Sequence, residues 1–158
     1  MKIKVFITAI LLLAGFATMQ SQNNMFDRLS DSKDISTVYI SKALLSMMPK
    51  MDVGAGGADI KSLAGKLEQL EIYSSQSKDA AKLIRMEFEG LTKGKTYETL
   101  MAIKDKGDNI TFYARKEKDN FKDLIMFINA PEECTVIRIM GNFTAEDVQK
   151  VMNSSNKK

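Results

Sequence analysis

The fold of this chain is decided by residues 97–143, which read YETLMAIKDKGDNITFYARKEKDNFKDLIMFINAPEECTVIRIMGNF. Apolar and polar side chains alternate along much of this stretch, and a period of two residues is typical of a β-strand. Turn-forming residues interrupt the alternation at residues 106–109, 118–120 and 130–131. The stretch therefore predicts four strands joined by tight turns, which is an antiparallel meander.

A helix is predicted before the meander, over residues 78–91. Apolar side chains recur there with the spacing of one broad helical face, while lysine, arginine and glutamate side chains project the other way. Ser77 precedes the segment and has a side chain that favours the N-cap position. Gly90 and Gly94 stand where such a helix is expected to end.

The N-terminal half is predicted to hold two strands, a short helix and a connector. A β-branched and aromatic run over residues 37–40 predicts a strand, and residues 42–48 have helical character up to Pro49. Residues 67–75 predict the second strand. Residues 52–66 between them are rich in glycine and lack the spacing of a phosphate-binding loop, which favours a connector.

A last helix is predicted after the meander. Thr144 and Asp147 have the spacing of a capping box, in which the side chain of each residue accepts a hydrogen bond from the backbone of the other. Val148, Val151 and Met152 then form a short apolar stripe. The full order of elements is therefore β-α-β-α-β-β-β-β-α.

This order predicts a single domain of the α+β class over residues 23–158. Helices that are apolar on one side need a sheet to cover. The economical arrangement has two layers: a mixed sheet of about six strands, including the C-terminal antiparallel meander, with helices mainly on one face. The other face of the sheet is then the candidate functional surface.

That second face needs a cover of its own. Residues 124–130 and 135–141 are apolar on both sides of their strands, so each strand requires packing on both faces. Either residues 23–35 or the connector 52–66 fold over the second face, or a partner covers it. An arginine amid apolar side chains is typical of such interfaces. The possible interface residues are Val136, Arg138 and Met140.

The first residues predict an export signal. Lys2 and Lys4 precede an apolar run over residues 5–17 that is short for a membrane span but has the length of a signal-peptide core. We expect residues 1–22 to be a signal peptide and the rest to be exported to the periplasm or the extracellular space, with no membrane span after cleavage. A retained membrane anchor is the alternative. No cysteine stands directly after the run, where it could carry a lipid anchor.

The charge pattern argues against a nucleic-acid partner. The chain of 158 residues has 23 lysines and arginines against 20 aspartates and glutamates. Removal of Lys2 and Lys4 with the signal peptide reduces the formal net charge from +3 to +1. Both signs are mixed along the sequence, whereas nucleic-acid binding normally needs a clustered basic face.

Cys134 is the only cysteine, and the sequence contains no histidine. A reactive thiol needs a base, a cation or a helix N-terminus to lower its pKa, and histidine is the commonest such partner. We therefore interpret Cys134 as a structural residue at the start of a strand, with an intermolecular disulfide as the minor alternative. The Cys134→Ser variant is expected to keep its fold and to lose at most about 1–2 kcal/mol.

The remaining candidates for chemistry have simpler explanations. Carboxylate pairs occur at residues 87 and 89, 132 and 133, and 146 and 147. Solvation or a helix's first turn explains them better than acid–base catalysis. Met47, Met48 and Met51 could hold Cu(I), but without histidine they are better explained by packing. We expect a non-catalytic protein with no cofactor and no bound metal.

Three segments together resemble a known family. They read FDRLSDSKDISTVYISKALL (26–45), YETLMAIKDKGDNITFYARKEKDNFKDLIMFINAPEE (97–133) and TVIRIMGNFTAEDVQKVM (135–152). The combination is similar to the family known as domain of unknown function 4252, over about residues 26–152. The resemblance implies a small exported protein of Bacteroidota, where relatives are often lipoproteins and some are encoded near sigma-factor genes. It carries over no activity and no catalytic residues, and this chain lacks the lipobox cysteine.

Two classes of function are consistent with these features. The first is a non-catalytic interaction or signalling-associated module of the cell envelope, whose partner is an unknown envelope protein or a second copy of the chain. The second is a carrier of a small ligand, either a lipid or a metal, with a pocket between sheet and helices lined by methionine and phenylalanine.

Overall fold

The computed structural model describes residues 23–47, 63 and 65–155. The predicted signal peptide, residues 1–22, lies outside the described residues, as does most of the connector 52–66. Within the described residues the chain forms four helices and six strands.

The elements follow the predicted order, with one additional helix at the start. They are α1 (Asn23–Ser30), β1 (Ile35–Ser41), α2 (Lys42–Met47), β2 (Leu67–Ser75), α3 (Lys78–Thr92), β3 (Glu98–Asp105), β4 (Asp108–Glu117), β5 (Asn120–Asn129), β6 (Cys134–Phe143) and α4 (Ala145–Ser155). The α+β class and the predicted meander, β3 to β6, are therefore confirmed.

All six strands form one sheet in the order β1-β2-β6-β5-β4-β3. Every neighbouring pair is antiparallel, which corrects the prediction of a mixed sheet. The physical reason lies in the connection through α3. It carries the chain from β2 to the far edge of the sheet, where β3 runs in the same direction as β2. The meander then returns strand by strand and fills the space between them, so no two parallel strands are neighbours.

Helices cover both faces of this sheet, which corrects the prediction that they lie mainly on one. On one face, α1 and α3 bury a cluster that includes Met25, Phe88 and Val136. On the other face, Leu45 of α2 and Val148 of α4 pack against the sheet in a second cluster. Because β5 and β6 carry apolar side chains on both sides, both faces of these strands must be shielded from water. The structure has three layers, with the sheet in the middle.

Helix α3 is held against the sheet by its apolar face and by hydrogen bonds along one flank. Ser77 Oγ accepts a hydrogen bond from the Ala80 backbone N–H at 3.2 Å, which confirms the predicted N-cap. The apolar face buries Ala80, Ala81, Ile84 and Phe88. On its flank, the Arg85 guanidinium donates to Asn129 Oδ1 at 2.5 Å and to the Ala130 carbonyl at 2.6 Å. The helix is therefore held both by packing and by the turn between β5 and β6.

The predicted capping box at the start of α4 is confirmed. The Thr144 N–H donates to Asp147 Oδ2 at 2.8 Å, and the Asp147 N–H donates to Thr144 Oγ1 at 3.3 Å. Lys66 Nζ donates to the same carboxylate at 2.6 Å. The hydrogen bond from Lys66 and that from the Thr144 backbone lower the pKa of Asp147 to about 2. This carboxylate therefore joins the helix start to the residue preceding β2.

The stability of the protein is expected to fall between about pH 4 and pH 2 in part because of Asp147. Its pKa is lower in the folded chain than the value near 4 expected when unfolded, so the unfolded state binds more protons in this range and stability rises with pH. We expect Asp147→Asn to cost about 1 kcal/mol at pH 7, as loss of a helix cap does. Urea titrations at pH 7, 5, 3 and 2 should show this difference shrinking below pH 4.

The control variant is Glu146→Gln, which removes an exposed carboxylate from the same helical turn. Glu146 pairs across the helix surface with Lys150, at 3.0 Å. Such exposed pairs contribute little. A loss for Asp147→Asn that stays constant from pH 7 to pH 2 would contradict the assignment to the ionised capping carboxylate.

Candidate functional site

Two of the three predicted interface residues are buried in the interior of the protein. Val136 is fully buried and Arg138 is 3% exposed, while Met140 is half-buried. Val136 packs in the cluster that contains Met25 and Leu29 of α1 and the apolar face of α3. Part of residues 23–35 therefore folds over this face and covers Val136, which is one of the three covers that the sequence left open. An exposed surface patch cannot include Val136 or Arg138.

Arg138 is instead the centre of a buried charge cluster, which we define as Arg138, Asp123 and Glu71. Arg138 Nη2 donates to Asp123 Oδ2 at 2.6 Å, and its Nε lies 3.2 Å from Oδ1 and 3.1 Å from Oδ2. Arg138 Nη1 lies 3.5 Å from Glu71 Oε2. The three side chains come from β6, β5 and β2 and are 0–5% exposed. One guanidinium thus bridges two carboxylates across the centre of the sheet.

Gln69 and two tyrosines also donate hydrogen bonds to the carboxylates of the buried charge cluster, Gln69 to Glu71 Oε1. The Tyr97 hydroxyl donates to Asp123 Oδ2 at 2.6 Å, and the Tyr73 hydroxyl donates to Glu71 Oε2 at 2.9 Å. Burial and the neighbouring Asp123 raise the pKa of Tyr97 to about 12. Burial and Glu71 likewise raise the pKa of Tyr73. Both hydroxyls therefore remain protonated donors at neutral pH.

The charge of Arg138 is stabilised despite its surroundings. Burial alone would lower the pKa of its guanidinium, but the hydrogen bonds and the charge of Asp123 outweigh that effect and raise the pKa. Among the described residues, no buried side-chain nitrogen or oxygen lacks a hydrogen-bond partner. The buried charge cluster is therefore internally satisfied.

A cleft of about 610 Å³ lies next to this cluster, between α1, α3 and the sheet. Arg138 contributes to its lining, so the cleft reaches the buried charge cluster. The other lining residues are Met25, Arg28, Met86, Glu87, Gly90, Leu91, Thr96, Tyr97 and Arg115. Methionine, leucine and aromatic surfaces thus alternate with charged groups, a combination that is common in sites for small ligands.

The charged groups of the cleft lining are predominantly positive. Three arginines and one glutamate contribute to it. At the rim, Arg28 of α1 forms two hydrogen bonds with Glu87 of α3, at 3.0 and 2.6 Å. Asp123 and Glu71 do not contribute to the lining, and their side chains are buried. The surface that faces the cleft therefore carries more positive than negative charge.

Arg115 differs from the other two arginines. It is half-buried on β4, and within residues 23–47, 63 and 65–155 it has neither an ion pair nor a side-chain hydrogen bond. Asp123 is its partner in the register of β4 and β5. However, the oxygens of Asp123 already accept hydrogen bonds from Arg138 and Tyr97. Arg115 therefore contributes to the cleft lining a guanidinium that forms no ion pair within the described residues.

Comparison with known families identifies the chain at the family level. The family described as "Domain of unknown function (DUF4252)" matches residues 26–151. The chain belongs to the DUF4252 family. The matched residues include all six strands together with α2 and α3. A comparison with curated proteins finds no match.

In this DUF4252 protein, Cys134 is fully buried at the start of β6. Its backbone N–H donates to Ser75 Oγ at 2.8 Å, and its side chain belongs to the apolar cluster beneath α3. Burial raises the pKa of the thiol to about 11, so the thiol is protonated at neutral pH. These features support a packing role.

Replacement of Cys134 is expected to affect stability only moderately. Cys134→Ala should cost about 1 kcal/mol, while Cys134→Ser should cost about 2 kcal/mol, because a hydroxyl would be buried in an apolar cluster. Urea unfolding measures both differences. A thiol reagent should label the native wild-type protein only at the rate of unfolding. Rapid labelling of the folded protein would contradict the buried position.

The other sequence candidates for metal binding and membrane association are only partly described. Met47 is 72% exposed, whereas Met48 and Met51 lie outside the described residues. Within the described part of the DUF4252 chain, no group of three or more His, Cys, Asp or Glu side chains is arranged to hold a metal ion. In residues 23–47, 63 and 65–155, none of the helices has both the length and the apolar composition that a bilayer span requires.

Sequence reasoning proposed a pocket between sheet and helices, but it assigned no residues to that pocket and missed most of the buried charge cluster. Arg138 was singled out by strand alternation, but its partners were not. Asp123 and Glu71 each interrupt an apolar strand at a position facing the same side as buried residues, such as Ile125 and Tyr73. The signal in the sequence was a charged residue at a strand position where its neighbours on the same side are apolar and buried.

Proposed function

We propose that this DUF4252 protein is a non-catalytic, exported protein of the cell envelope that binds a small ligand in the cleft between α1, α3 and the sheet. The observation that carries the proposal is the cleft itself. Its volume of about 610 Å³ lies within the range of roughly 300–1,000 Å³ that small-ligand sites occupy. Its lining combines apolar surface with a few polar groups that can fix the orientation of a ligand.

The absence of catalysis is part of the proposal and is supported by the state of the candidate groups. Cys134 is buried, and its pKa is raised rather than lowered. Glu87 is the carboxylate of the cleft lining, and both of its oxygens accept hydrogen bonds from Arg28. Asp123 is fully buried, and both of its oxygens accept hydrogen bonds from Arg138. A general base must lie within hydrogen-bond reach of the proton that it abstracts. The thiol and these carboxylates therefore have structural roles.

Export is proposed from the N-terminal sequence. Two lysines precede the apolar residues 5–17, as in a signal peptide. In the native host we expect the protein in the periplasm or outside the cell, cleaved between residues 17 and 22. Intact-mass analysis of the native protein measures this. Retention of Met1, or a lipid on the new N-terminus, would contradict it.

The ligand site can be tested by filling the cleft. A Cβ atom added at Gly90 meets no atom within 4 Å, so a larger side chain there can extend into the cleft. We expect wild-type protein to bind dodecanol, used below its solubility limit, or dodecanoate, used below its micelle concentration, with one molecule per chain in isothermal titration calorimetry. Gly90→Leu should weaken this binding by about tenfold or more, which corresponds to about 1.4 kcal/mol.

The matched control is Gly90→Ala, which changes the same position by one methyl group. It should bind the probes as the wild type does, and it should stabilise α3 by about 0.5–1 kcal/mol because alanine favours a helix over glycine. Binding of neither probe to the wild type would refute a cleft for apolar-chain ligands. Binding that Gly90→Leu leaves unchanged would place the ligand elsewhere.

A second candidate function is association through the edge strand β1. Large apolar side chains are exposed there and on the following helix: Val38 is 41%, Tyr39 50% and Leu44 43% exposed. An edge strand with exposed apolar residues favours pairing with another chain. Sedimentation velocity of wild type and Val38→Lys tests whether the chain pairs with itself. Self-association that Val38→Lys abolishes favours this candidate, whereas a monomeric wild type opposes it.

A further inference from the structure

We infer that the ligand of the cleft is an anionic amphiphile, with one acidic head group held by Arg115 and an apolar body lying along Met25, Met86 and Leu91. This inference rests on the proposed ligand-binding function and adds the chemical class of the ligand. It assigns to Arg115 the role of the anchoring cation.

The charges of the cleft lining favour an anionic ligand. The three arginines of the lining exceed its single glutamate, and Arg28 is already paired with that glutamate. Arg138 is paired behind the lining with Asp123 and Glu71. Arg115 alone among the three has no hydrogen-bonded carboxylate within the described residues. A ligand carboxylate can supply that partner, and a guanidinium binds a carboxylate through two parallel hydrogen bonds.

The apolar side chains of the cleft lining favour an apolar body on the ligand. Met25 on α1 and Leu91 on α3 are buried or half-buried, and Met86 is 63% exposed. Thioether and aliphatic side chains adapt to a flexible apolar chain. A free inorganic anion would leave this surface and most of the 610 Å³ unused. An acidic head group joined to an apolar body fits both parts of the lining.

Comparison of charged and neutral probes tests the inference. Dodecanoate should bind the wild type about 10- to 100-fold more tightly than dodecanol, which is the range expected for one charge-assisted contact. Arg115→Met should remove this preference by weakening dodecanoate binding alone. Arg115→Lys, which keeps the charge, should retain part of it. Binding of dodecanoate should also weaken as the salt concentration rises.

Lys104→Met is the matched control, because it removes one exposed positive charge from β3 at a position outside the cleft lining. It should bind both probes like the wild type. Inorganic phosphate, as a head group without an apolar body, should bind at least about tenfold more weakly than dodecanoate.

The outcomes separate this inference from the proposed function. If dodecanoate and dodecanol bind equally and Gly90→Leu blocks both, the cleft is a ligand site but the assignment of an acidic head group to its ligand is wrong. If Arg115→Met weakens neither probe, Arg115 is not the anchor and the inference fails. If neither probe binds the wild type, both the inference and the proposed function fail.

Discussion

We expect the Gly141→Ala variant to lose about 3 kcal/mol of unfolding free energy or more, because the added methyl group has no space. A Cβ atom at Gly141 would lie 2.2 Å from the Lys66 carbonyl oxygen and 2.6 Å from the ring of Phe143. One of these neighbours is backbone, so it cannot rotate away. Urea unfolding of wild type and variant measures the difference.

The large effect follows from the position of Gly141 in the sheet. It pairs with Leu67 at the start of β2, where the register of β2 and β6 shifts. The next residue, Asn142, donates its N–H to the Lys66 carbonyl at 3.1 Å. Displacing that carbonyl would break this hydrogen bond and move Lys66, which also binds Asp147 of α4. One methyl group therefore disturbs β2, β6 and α4 together.

Gly90→Ala is the control for this prediction, since it makes the same chemical change where no atom lies within 4 Å. It should not destabilise the protein. A Gly141→Ala variant as stable as Gly90→Ala would show that β2 and β6 do not approach each other as closely as described.

The local elements of the fold were predictable because their signals lie in neighbouring residues. β2 occupies residues 67–75 as predicted, and α3 extends the prediction by one residue. The caps at Ser77 and Thr144 were also correct, because capping depends on side chains within three residues of each other. Strand alternation and turn residues were sufficient for the meander.

Helix α1 and the distribution of helices over two faces were not predictable in the same way. α1 has eight residues, and helices of that length depend on tertiary packing for most of their stability. Its packing residues Met25 and Leu29 contact partners that are far away in sequence. The lining of the cleft depends on the position of α1 over the sheet, so the lining residues could not be predicted without that packing.

The sequence marks the members of the buried charge cluster as charged residues in strands, but it does not show that they lie next to one another. Glu71, Asp123 and Arg138 come from strands whose order in the sheet is set by the α3 crossover. In the sheet, β6 lies between β2 and β5, so Arg138 stands between the two carboxylates. Without the strand order, an inward-facing Arg138 was interpreted as part of an interface.

We expect Arg138→Met to lose about 3–5 kcal/mol, because it removes the only cation of the buried charge cluster and leaves its carboxylates inside the protein. Asp123 is fully buried, and Glu71 is 4% exposed. Methionine has a similar length and packs well, so the loss should arise from the unpaired charges rather than from a cavity. Urea unfolding at pH 7 measures it.

The control is Arg28→Met, which breaks the ion pair with Glu87 at the rim of the cleft. The Arg28 side chain is 48% exposed, so water replaces the lost partner and the change in stability should be small. Both variants remove one arginine, which has two ion-pair partners at Arg138 and one at Arg28. A large loss at Arg138 beside a small loss at Arg28 would show that the buried partners are the costly ones.

A triple variant separates charge from shape in the buried charge cluster. Adding Asp123→Asn and Glu71→Gln to Arg138→Met removes the two buried negative charges while keeping side chains of similar size. We expect this to recover at least about 1–2 kcal/mol of the loss, since neutral amides cost less to bury than unpaired carboxylates. The Tyr97 and Tyr73 hydroxyls can still donate to the amide oxygens. If the triple variant is less stable than Arg138→Met, the loss comes from the shape and packing of Arg138, and the explanation by unpaired charge is wrong.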